Sequence, residues 1–188
     1  MKETVILVNT NDEIIGFEDK LKAHADGKLH RAYSIIIMNS KNEMLIQKRS
    51  SAKYHSGGLW SNACCSHPTI DVPYEDQVHN RLFWEMGFDC PLDWRFHFIY
   101  RHAFENKLIE YEYDHVYAGF FDGDVHINPA EIEAYKWADM DWLIDDTKHN
   151  SDRYTVWFRM IIDNHWNDII DNYRIYSSPK RYITTINS

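Results

Sequence analysis

The chain has 188 residues, of which 44% are hydrophobic and 26% charged, and this composition predicts one soluble globular domain, residues 1–188. Its formal net charge of −9 at pH 7 argues against nucleic acid and anionic membranes as partners, although a small anionic molecule remains compatible with it. The sequence contains neither a transmembrane-length apolar run nor a basic and apolar leader, so a cytoplasmic protein is expected.

The first half of the chain alternates short apolar runs with turn residues, a pattern typical of β-strands. Strands are predicted at residues 4–9, 14–18, 32–39 and 43–48. The last two are expected to pair with each other across the turn at Ser40-Lys41-Asn42. Between the second and third strands lies a polar stretch with a turn at Asp26-Gly27, and residues 50–71 are expected to be irregular.

Residues 74–86 form the clearest predicted helix. Pro73 stands near its start, acidic residues occupy its first turn, and Gly87 follows its end. Further strands are predicted at residues 96–104 and 108–121, and further helices at 139–146 and 153–172. Residues from about 165 onward are expected to form a C-terminal helical extension without a readable motif. Together these elements predict an α/β fold with a mixed sheet between helices.

Three acidic residues alternate along the strand predicted at 108–121, namely Glu110, Glu112 and Asp114. Alternate residues of a strand share one face and lie roughly 6.6 Å apart, so two of these carboxylates could reach one metal ion. Clustered carboxylates repel each other unless a cation or a shared proton compensates. Because the same alternation is typical of a solvated strand face, the pattern by itself leaves both interpretations open.

Histidines and cysteines are the other candidate groups. His24 and His30 have a spacing that matches no helical or finger-type zinc site, and surface histidines would look the same. Cys64, Cys65 and His67 lie in the irregular segment, where functional groups often concentrate. In an extended segment the two cysteines point to opposite sides, so at most one of them would be catalytic. With Cys90 they make an odd set without a disulfide pattern, which indicates a reducing compartment.

Six segments of the chain are similar, in their order and spacing, to type I isopentenyl diphosphate isomerases, a divergent branch of the Nudix superfamily. They run from Lys20 to Trp157 and read KLKAHADGKLHRAYS, QKRSSAKYHSGGLWSNACCSHP, RLFWEMG, FIYRHAF, EYEYDH and YTVW. The resemblance implies a Nudix-like mixed sheet between helices. It also implies a flavin-free, metal-dependent enzyme that isomerises isopentenyl diphosphate to dimethylallyl diphosphate in isoprenoid biosynthesis.

The resemblance further implies two metal sites and a diphosphate site. The first site would hold Mn²⁺, Zn²⁺ or Mg²⁺, since three imidazoles with two carboxylates suit a borderline divalent ion. The second would hold a Mg²⁺ ion between Glu85, the backbone carbonyl of Cys65 and the substrate diphosphate. The residues carried over are His24, His30, His67, Glu110 and Glu112 for the first metal, and Lys20, Arg49, Lys53 and Arg81 for the diphosphate.

The family's catalytic pair falls on Cys65 and Glu112, which would act on opposite faces of the substrate. One would protonate the alkene and the other would remove an allylic proton, transfers worth roughly 10²–10⁴-fold per group. Tyr100 matches the hydroxyl partner of the glutamate. Trp157 matches an indole that stabilises the cationic centre by about 2 kcal/mol. The alternative interpretation of these two aromatics is an ordinary place in the core.

The chain departs from the usual Nudix box, G-x5-E-x7-R-E-U-x-E-E-x-G-U, in which U is an apolar residue. Aligned on Gly87, it lacks most of the carboxylates that pyrophosphate hydrolysis needs and keeps Glu85. The changed positions are Ser66, Val72, Asn80, Arg81 and Trp84. Two rivals to the isomerase are a Nudix hydrolase of a nucleoside diphosphate derivative and a non-catalytic metal-binding domain. The oligomeric state is left as monomer or homodimer.

Overall fold

The computed structural model describes residues 3–170. These residues form a nine-stranded mixed sheet with four α-helices. The elements are β1 (Thr4–Val8), β2 (Ile14–Asp19), α1 (Lys20–Asp26), β3 (His30–Met38), β4 (Glu43–Arg49), β5 (Trp60–Asn62), β6 (Cys64–Ser66), α2 (Tyr74–Met86), β7 (Leu92–Ala103), β8 (Ile109–Phe120), β9 (Ile132–Asp139), α3 (Met140–His149) and α4 (Val156–Ile170), with a 3₁₀ turn at Ser151–Arg153.

Strand β3 organises the sheet. One of its edges pairs in parallel with β8 along the whole strand, which places His30 opposite Glu112. The other edge is shared by three strands in succession: β1 at His30, β6 at residues 33–35 and β4 at Met38. Beyond these, β7 pairs with β8, and β4 pairs with β5 and β9. The start of β3 therefore lies between β1 on one edge and β8 on the other.

Both faces of β3 are buried, which explains why its sequence is a continuous apolar run and not an alternating one. Ile35 and Ile37 pack with Leu82 in the cluster that α2 covers. Ile36 packs with Phe158 in the cluster that α3 and α4 cover on the opposite face. The predicted arrangement, a mixed sheet between helices, is confirmed.

The predicted pairing between the strands at 32–39 and 43–48 is confirmed next to the turn, where β3 and β4 pair antiparallel. This pairing is short and joins Met38 to Met44, whereas β4 also pairs with β9 from Glu43 to Arg49. The longer pairings of β3 with β8 and of β4 with β9 join segments that lie far apart along the chain. Pairings of this kind depend on tertiary packing, and no local pattern at residues 32–48 indicates them.

Four observed elements were not predicted: α1, β5, β6 and β9. Helix α1 occupies the stretch expected to be polar, with Asp19 accepting a hydrogen bond from the Lys22 amide at 3.1 Å and Gly27 ending it at φ 64°. Strands β5 and β6 lie in the segment expected to be irregular and have three residues each, too few to show an alternation. Capping residues were therefore better indicators of α1 than its hydrophobic pattern.

The two C-terminal helices differ from their predicted bounds. Helix α3 extends to His149, and α4 begins at Val156 because a 3₁₀ turn occupies the residues just before it. The end of the helix predicted at 153–172 and most of the extension expected from 165 lie outside the described residues. Within residues 3–170, no helix has the length and apolar character needed to cross a membrane.

Replacing Gly87, the residue that ends α2, with alanine is expected to lower the free energy of unfolding by about 2–5 kcal/mol. Gly87 has φ +73°, and a Cβ there would lie 2.6 Å from the backbone oxygen of His126. Gly58 is a matched control because it has φ +77° and no heavy atom within 4 Å of the added Cβ. Gly58→Ala should therefore cost only the backbone strain, about 1–2 kcal/mol. Denaturant unfolding measures both, and equal losses would contradict the steric argument.

Candidate active site

Five side chains converge on one point at the edge of the sheet where β3 begins. Each offers a ligand atom, and these atoms all lie within 4.8 Å of one another. Helix α1, the start of β3, the residue after β6, and β8 supply them. The group is His24, His30, His67, Glu110 and Glu112, the full set implied by the family resemblance.

The sheet register explains this convergence. Parallel pairing places His30 beside Glu112, and antiparallel pairing of Ser66 with Tyr33 brings the following His67 to the same edge. The alternation of β8 adds Glu110 on the face of Glu112. Both carboxylates are buried, with Glu110 2% exposed and Glu112 7% exposed, so the alternative of a solvated strand face is wrong.

Backbone carbonyls orient two of the imidazoles. His24 Nδ1 lies 2.6 Å from the Lys20 carbonyl and His30 Nδ1 lies 2.8 Å from the Lys28 carbonyl, so each Nδ1–H donates to a carbonyl. This arrangement leaves both Nε2 lone pairs facing the cluster. His24 Nε2, His30 Nε2 and Glu110 Oε2 are buried without a hydrogen-bond partner among the described residues. Buried polar atoms require a partner, and this donor set fits a divalent metal ion.

The electrostatics of the cluster suit metal ligation. Burial lowers the pKa of His67 to about 4 against the raising effect of Glu112, which favours the neutral imidazole that metals bind. Burial alone would raise the pKa of Glu112, but its interactions with the imidazoles of His30 and His67 outweigh burial and hold the pKa well below its usual range. The site thus presents the neutral imidazole of His67 next to the ionised carboxylate of Glu112.

A cavity of about 790 Å³ opens beside the cluster. His67, Glu110 and Glu112 form part of its wall, whereas His24 and His30 are not among its lining residues. The predicted catalytic and diphosphate-binding residues all line this cavity, namely Cys65, Glu112, Tyr100, Trp157, Lys20, Arg49, Lys53 and Arg81. These eight candidates, scattered over most of the chain, therefore share one space, whereas Glu85, predicted to hold the second metal ion, is not among the lining residues.

The two adjacent cysteines point to opposite sides of β6, as expected for an extended segment. Cys64 is fully buried in the cluster under α2, and Cys65 lines the cavity. The Cys65 Sγ lies 3.5 Å from Arg49 Nη1. Burial raises the pKa of the Cys65 thiol to about 12, although the Arg49 guanidinium opposes the shift. Cys65 is thus the cysteine that can meet a molecule in the cavity, and it carries a proton.

Glu112 is held from two sides. Its Oε2 accepts a hydrogen bond of 2.7 Å from the Tyr100 hydroxyl, and its Oε1 lies 2.8 Å from His67 Nε2. Burial and the neighbouring carboxylates raise the pKa of Tyr100 well above its ordinary value, so the hydroxyl remains a donor. Trp157 is fixed by an indole hydrogen bond of 3.2 Å to Asn62 Oδ1. Both aromatics lie in the cavity wall with defined polar contacts.

Three of the four basic residues predicted to bind the diphosphate are paired with carboxylates. Lys20 Nζ lies 2.8 Å from Glu3, and Lys53 forms an ion pair with Glu131. Arg81 contacts both Glu85, at 2.7 Å, and Glu131, at 3.1 Å. An anionic group entering here would exchange one set of charge-assisted contacts for another.

Comparison with known proteins identifies the family of this chain. Residues 28–158 match the NUDIX domain. The chain is 48% identical over 163 residues to isopentenyl-diphosphate Delta-isomerase 1 of Aromatoleum aromaticum, covering 87% of this chain and 92% of that protein. It is 47% identical to isopentenyl-diphosphate Delta-isomerase 2 of Photorhabdus laumondii, over 87% of this chain and 92% of the relative. The chain belongs to the isopentenyl-diphosphate Delta-isomerase family of Nudix proteins.

Solved structures share the fold of this family member. A Deinococcus radiodurans protein superposes with a TM-score of 0.64 at 18% identity, covering 78% of this chain and 90% of that one. A MutT protein from Methanosarcina mazei Go1 gives a TM-score of 0.58 at 18% identity, covering 72% and 91%. Identities this low establish the fold alone, and they confirm the predicted Nudix-like arrangement.

In this member of the isomerase family, α2 carries the Nudix box, and its residues differ from those of a Nudix hydrolase. Trp84 is 59% exposed, so the position of a missing box carboxylate presents an indole toward solvent and the cavity rim. Glu85 is buried, and burial raises its pKa against the opposing charge of Arg81. The changed positions therefore leave a single box carboxylate, which is bonded to Arg81.

Sequence reasoning missed two residues of the site. His55 lies in the quoted segment KYHSGG and places Nε2 2.6 Å from Glu110 Oε1. Glu131 follows Pro129-Ala130 and contacts both Lys53 and Arg81. The resemblance assigned no role to either position, and each reaches the cavity through a loop whose course the local sequence does not indicate.

Proposed function

We propose that this chain interconverts isopentenyl diphosphate and dimethylallyl diphosphate. It adds a proton to one carbon of the substrate and removes a proton from another, which moves the double bond. The observation that carries the proposal is the presence of the Cys65 thiol and the Glu112 carboxylate in the wall of one cavity, beside the His/Glu cluster. The names of the relatives support the same reaction. The reaction supplies the allylic starting unit of isoprenoid biosynthesis.

The two side chains balance the reaction between them. One donates a proton to the terminal methylene carbon, where the alkene electron pair forms the new C–H bond and leaves a tertiary cationic centre. The other accepts a proton from the neighbouring methylene carbon, and the electrons of that C–H bond form the new double bond. Because the reaction is reversible, Cys65 and Glu112 exchange these roles with its direction. Tyr100 holds Glu112 in position through its hydroxyl.

The aromatic wall protects the cationic centre. Trp157 lines the cavity with its indole fixed by Asn62, and the Arg49 guanidinium lies over its ring at 5.1 Å, so this ring already has a cation over one face. Such contacts contribute about 2 kcal/mol when water is excluded. Tyr54 and Tyr100 add further cavity wall, which limits the access of water to the intermediate.

Divalent ions complete the proposed site. His24, His30, His67, Glu110 and Glu112 would hold Mn²⁺, Zn²⁺ or Mg²⁺, which supplies positive charge that polarises the carboxylate of Glu112. Glu85 and the Cys65 carbonyl would hold a second ion, Mg²⁺, with the diphosphate. Lys20, Arg49, Lys53 and Arg81 would bind the diphosphate oxygens. The proposed chemistry uses no flavin.

The proposed substrate is a small diphosphate. The enzyme is proposed to act in the cytoplasm, as a monomer or homodimer. Cys64, Cys65 and Cys90 are free thiols, in keeping with a reducing compartment.

Incubating the purified protein with isopentenyl diphosphate and Mg²⁺, with Mn²⁺ or Zn²⁺ added in parallel, is expected to yield an acid-labile allylic diphosphate. Chelation should abolish turnover because the cluster ligands then lack their cation, and adding back the metal should restore it. Release of phosphate would favour the hydrolase, and metal uptake without turnover would favour the non-catalytic domain. Absence of allylic product with every metal tested would refute the isomerase.

A further inference from the structure

The side chain of His55 is 4% exposed and lies between the metal-ligand cluster and the aromatic wall. Its ring stacks on Phe104 at 4.8 Å with an interplanar angle of 18°. Tyr54 and Trp157 meet it edge-on at 4.3 Å and 6.0 Å. Aromatic packing on three sides fixes the plane of the imidazole, so the direction of its nitrogens is determined by the fold.

The fixed imidazole is aimed at one carboxylate oxygen. His55 Nε2 lies 2.6 Å from Glu110 Oε1, whereas His55 Nδ1 lies 3.3 Å from the Ser56 hydroxyl. The hydroxyl can donate to Nδ1, which leaves the proton on Nε2 for donation to the carboxylate. His55 thus donates a hydrogen bond to Oε1 of Glu110.

The carboxylate of Glu110 also belongs to the cluster of candidate metal ligands. Oε2 is buried and has no hydrogen-bond partner in the described part of the chain. His24 Nε2 approaches Oε1 at 3.3 Å, which is too long for a strong hydrogen bond. His55 itself is not a member of the group whose ligand atoms lie within 4.8 Å of one another. It contacts a metal ligand and does not share the centre of the cluster.

We propose that His55 is a positioning residue that binds Glu110 Oε1 and thereby holds this carboxylate beside the imidazoles of the cluster as a metal ligand. Hydrogen bonds of this kind fix ligand orientation before the ion arrives, so losing one typically weakens metal binding by about 10–100-fold. The inference rests on the proposed metal-dependent function. It differs from that function in predicting a loss of metal affinity that does not require substrate.

The test is a titration of metal-free protein with Mn²⁺, followed by electron paramagnetic resonance of the free ion, without substrate. His55→Phe keeps a ring on Phe104 but removes the donor, and we expect its Mn²⁺ affinity to fall about 10–100-fold. His55→Gln restores an N–H donor and should recover most of the loss. His102→Phe is the matched control, because His102 pairs with Glu110 across the strands and packs edge-on against the same Phe104 at 4.8 Å, but forms no side-chain hydrogen bond with Glu110 among residues 3–170. Its affinity should stay within about twofold of the wild type.

A double-mutant cycle separates positioning from general damage. In a Glu110→Ala background, His55→Phe should cause no further loss of Mn²⁺ affinity, because the bonded carboxylate is absent. Equal affinity of wild type and His55→Phe, or full additivity in the cycle, would overturn the positioning role while leaving the isomerase proposal intact. Failure of the wild type to bind Mn²⁺, with Zn²⁺ also excluded by competition, would overturn the metal site itself. Unfolding midpoints of the metal-free variants identify any that do not fold.

Discussion

Cys65→Ala is expected to lower kcat by roughly 10²–10⁴-fold, the range found when one proton-transfer group is removed. Cys65 is the cysteine of the adjacent pair that lines the cavity, and its replacement removes a dissociable proton from one side of the bound alkene. The KM for isopentenyl diphosphate should change little, because the predicted diphosphate contacts come from other residues. Steady-state kinetics with isopentenyl diphosphate and saturating Mg²⁺ measure both constants.

Cys64→Ala is the matched control for this prediction. Cys64 has the same chemistry but is fully buried in the cluster under α2, so its thiol cannot reach a molecule in the cavity. Its replacement should reduce stability through a small void and leave kcat near that of the wild type. If Cys65→Ala were fully active and Cys64→Ala inactive, the assignment of the catalytic thiol would be wrong.

Glu112→Gln is expected to lower kcat by at least roughly 10²–10⁴-fold and to weaken metal binding as well. The substitution keeps the size of the side chain but removes the basic oxygen that exchanges the proton. It also removes charge from a group that contacts Tyr100 and His67 on its two oxygens. Activity and Mn²⁺ affinity should therefore both decline.

Glu110→Gln distinguishes the two consequences. Glu110 belongs to the same cluster but has no assigned proton transfer, so its loss should weaken metal binding while the reacting pair stays intact. Excess metal should restore much of the activity of Glu110→Gln and little of the activity of Glu112→Gln. Equal rescue of both variants would mean that Glu112 serves only as a ligand.

The pairing of the cavity cations bears on how a diphosphate would be held. Lys20, Lys53 and Arg81 already contact carboxylates, and Arg49 lies 5.1 Å from the centre of the Trp157 ring with Nη1 near Cys65. A diphosphate therefore gains less from these cations than four free charges would provide. This balance is consistent with the proposed participation of divalent ions in substrate binding.

The sequence by itself determined the elements with strong local signals and the chemical types of the site. The helix at residues 74–86 was predicted with its observed bounds, because a proline, acidic first-turn residues and a following glycine mark its ends. Alternation along β8 predicted that Glu110 and Glu112 share a face, and extended geometry predicted that Cys64 and Cys65 diverge. These conclusions depend only on the periodicity of helices and strands.

Only the tertiary structure decided which of these residues meet. His24, His67 and Glu112 are far apart in the chain, and they converge because β3 pairs in parallel with β8 and antiparallel with β6. The apolar run of β3 indicates burial on both faces, but it does not specify which distant strands pair with β3. The same is true of His55, whose role as a contact of Glu110 depends on the course of the loop between β4 and β5 and on the ring of Phe104 that fixes its plane.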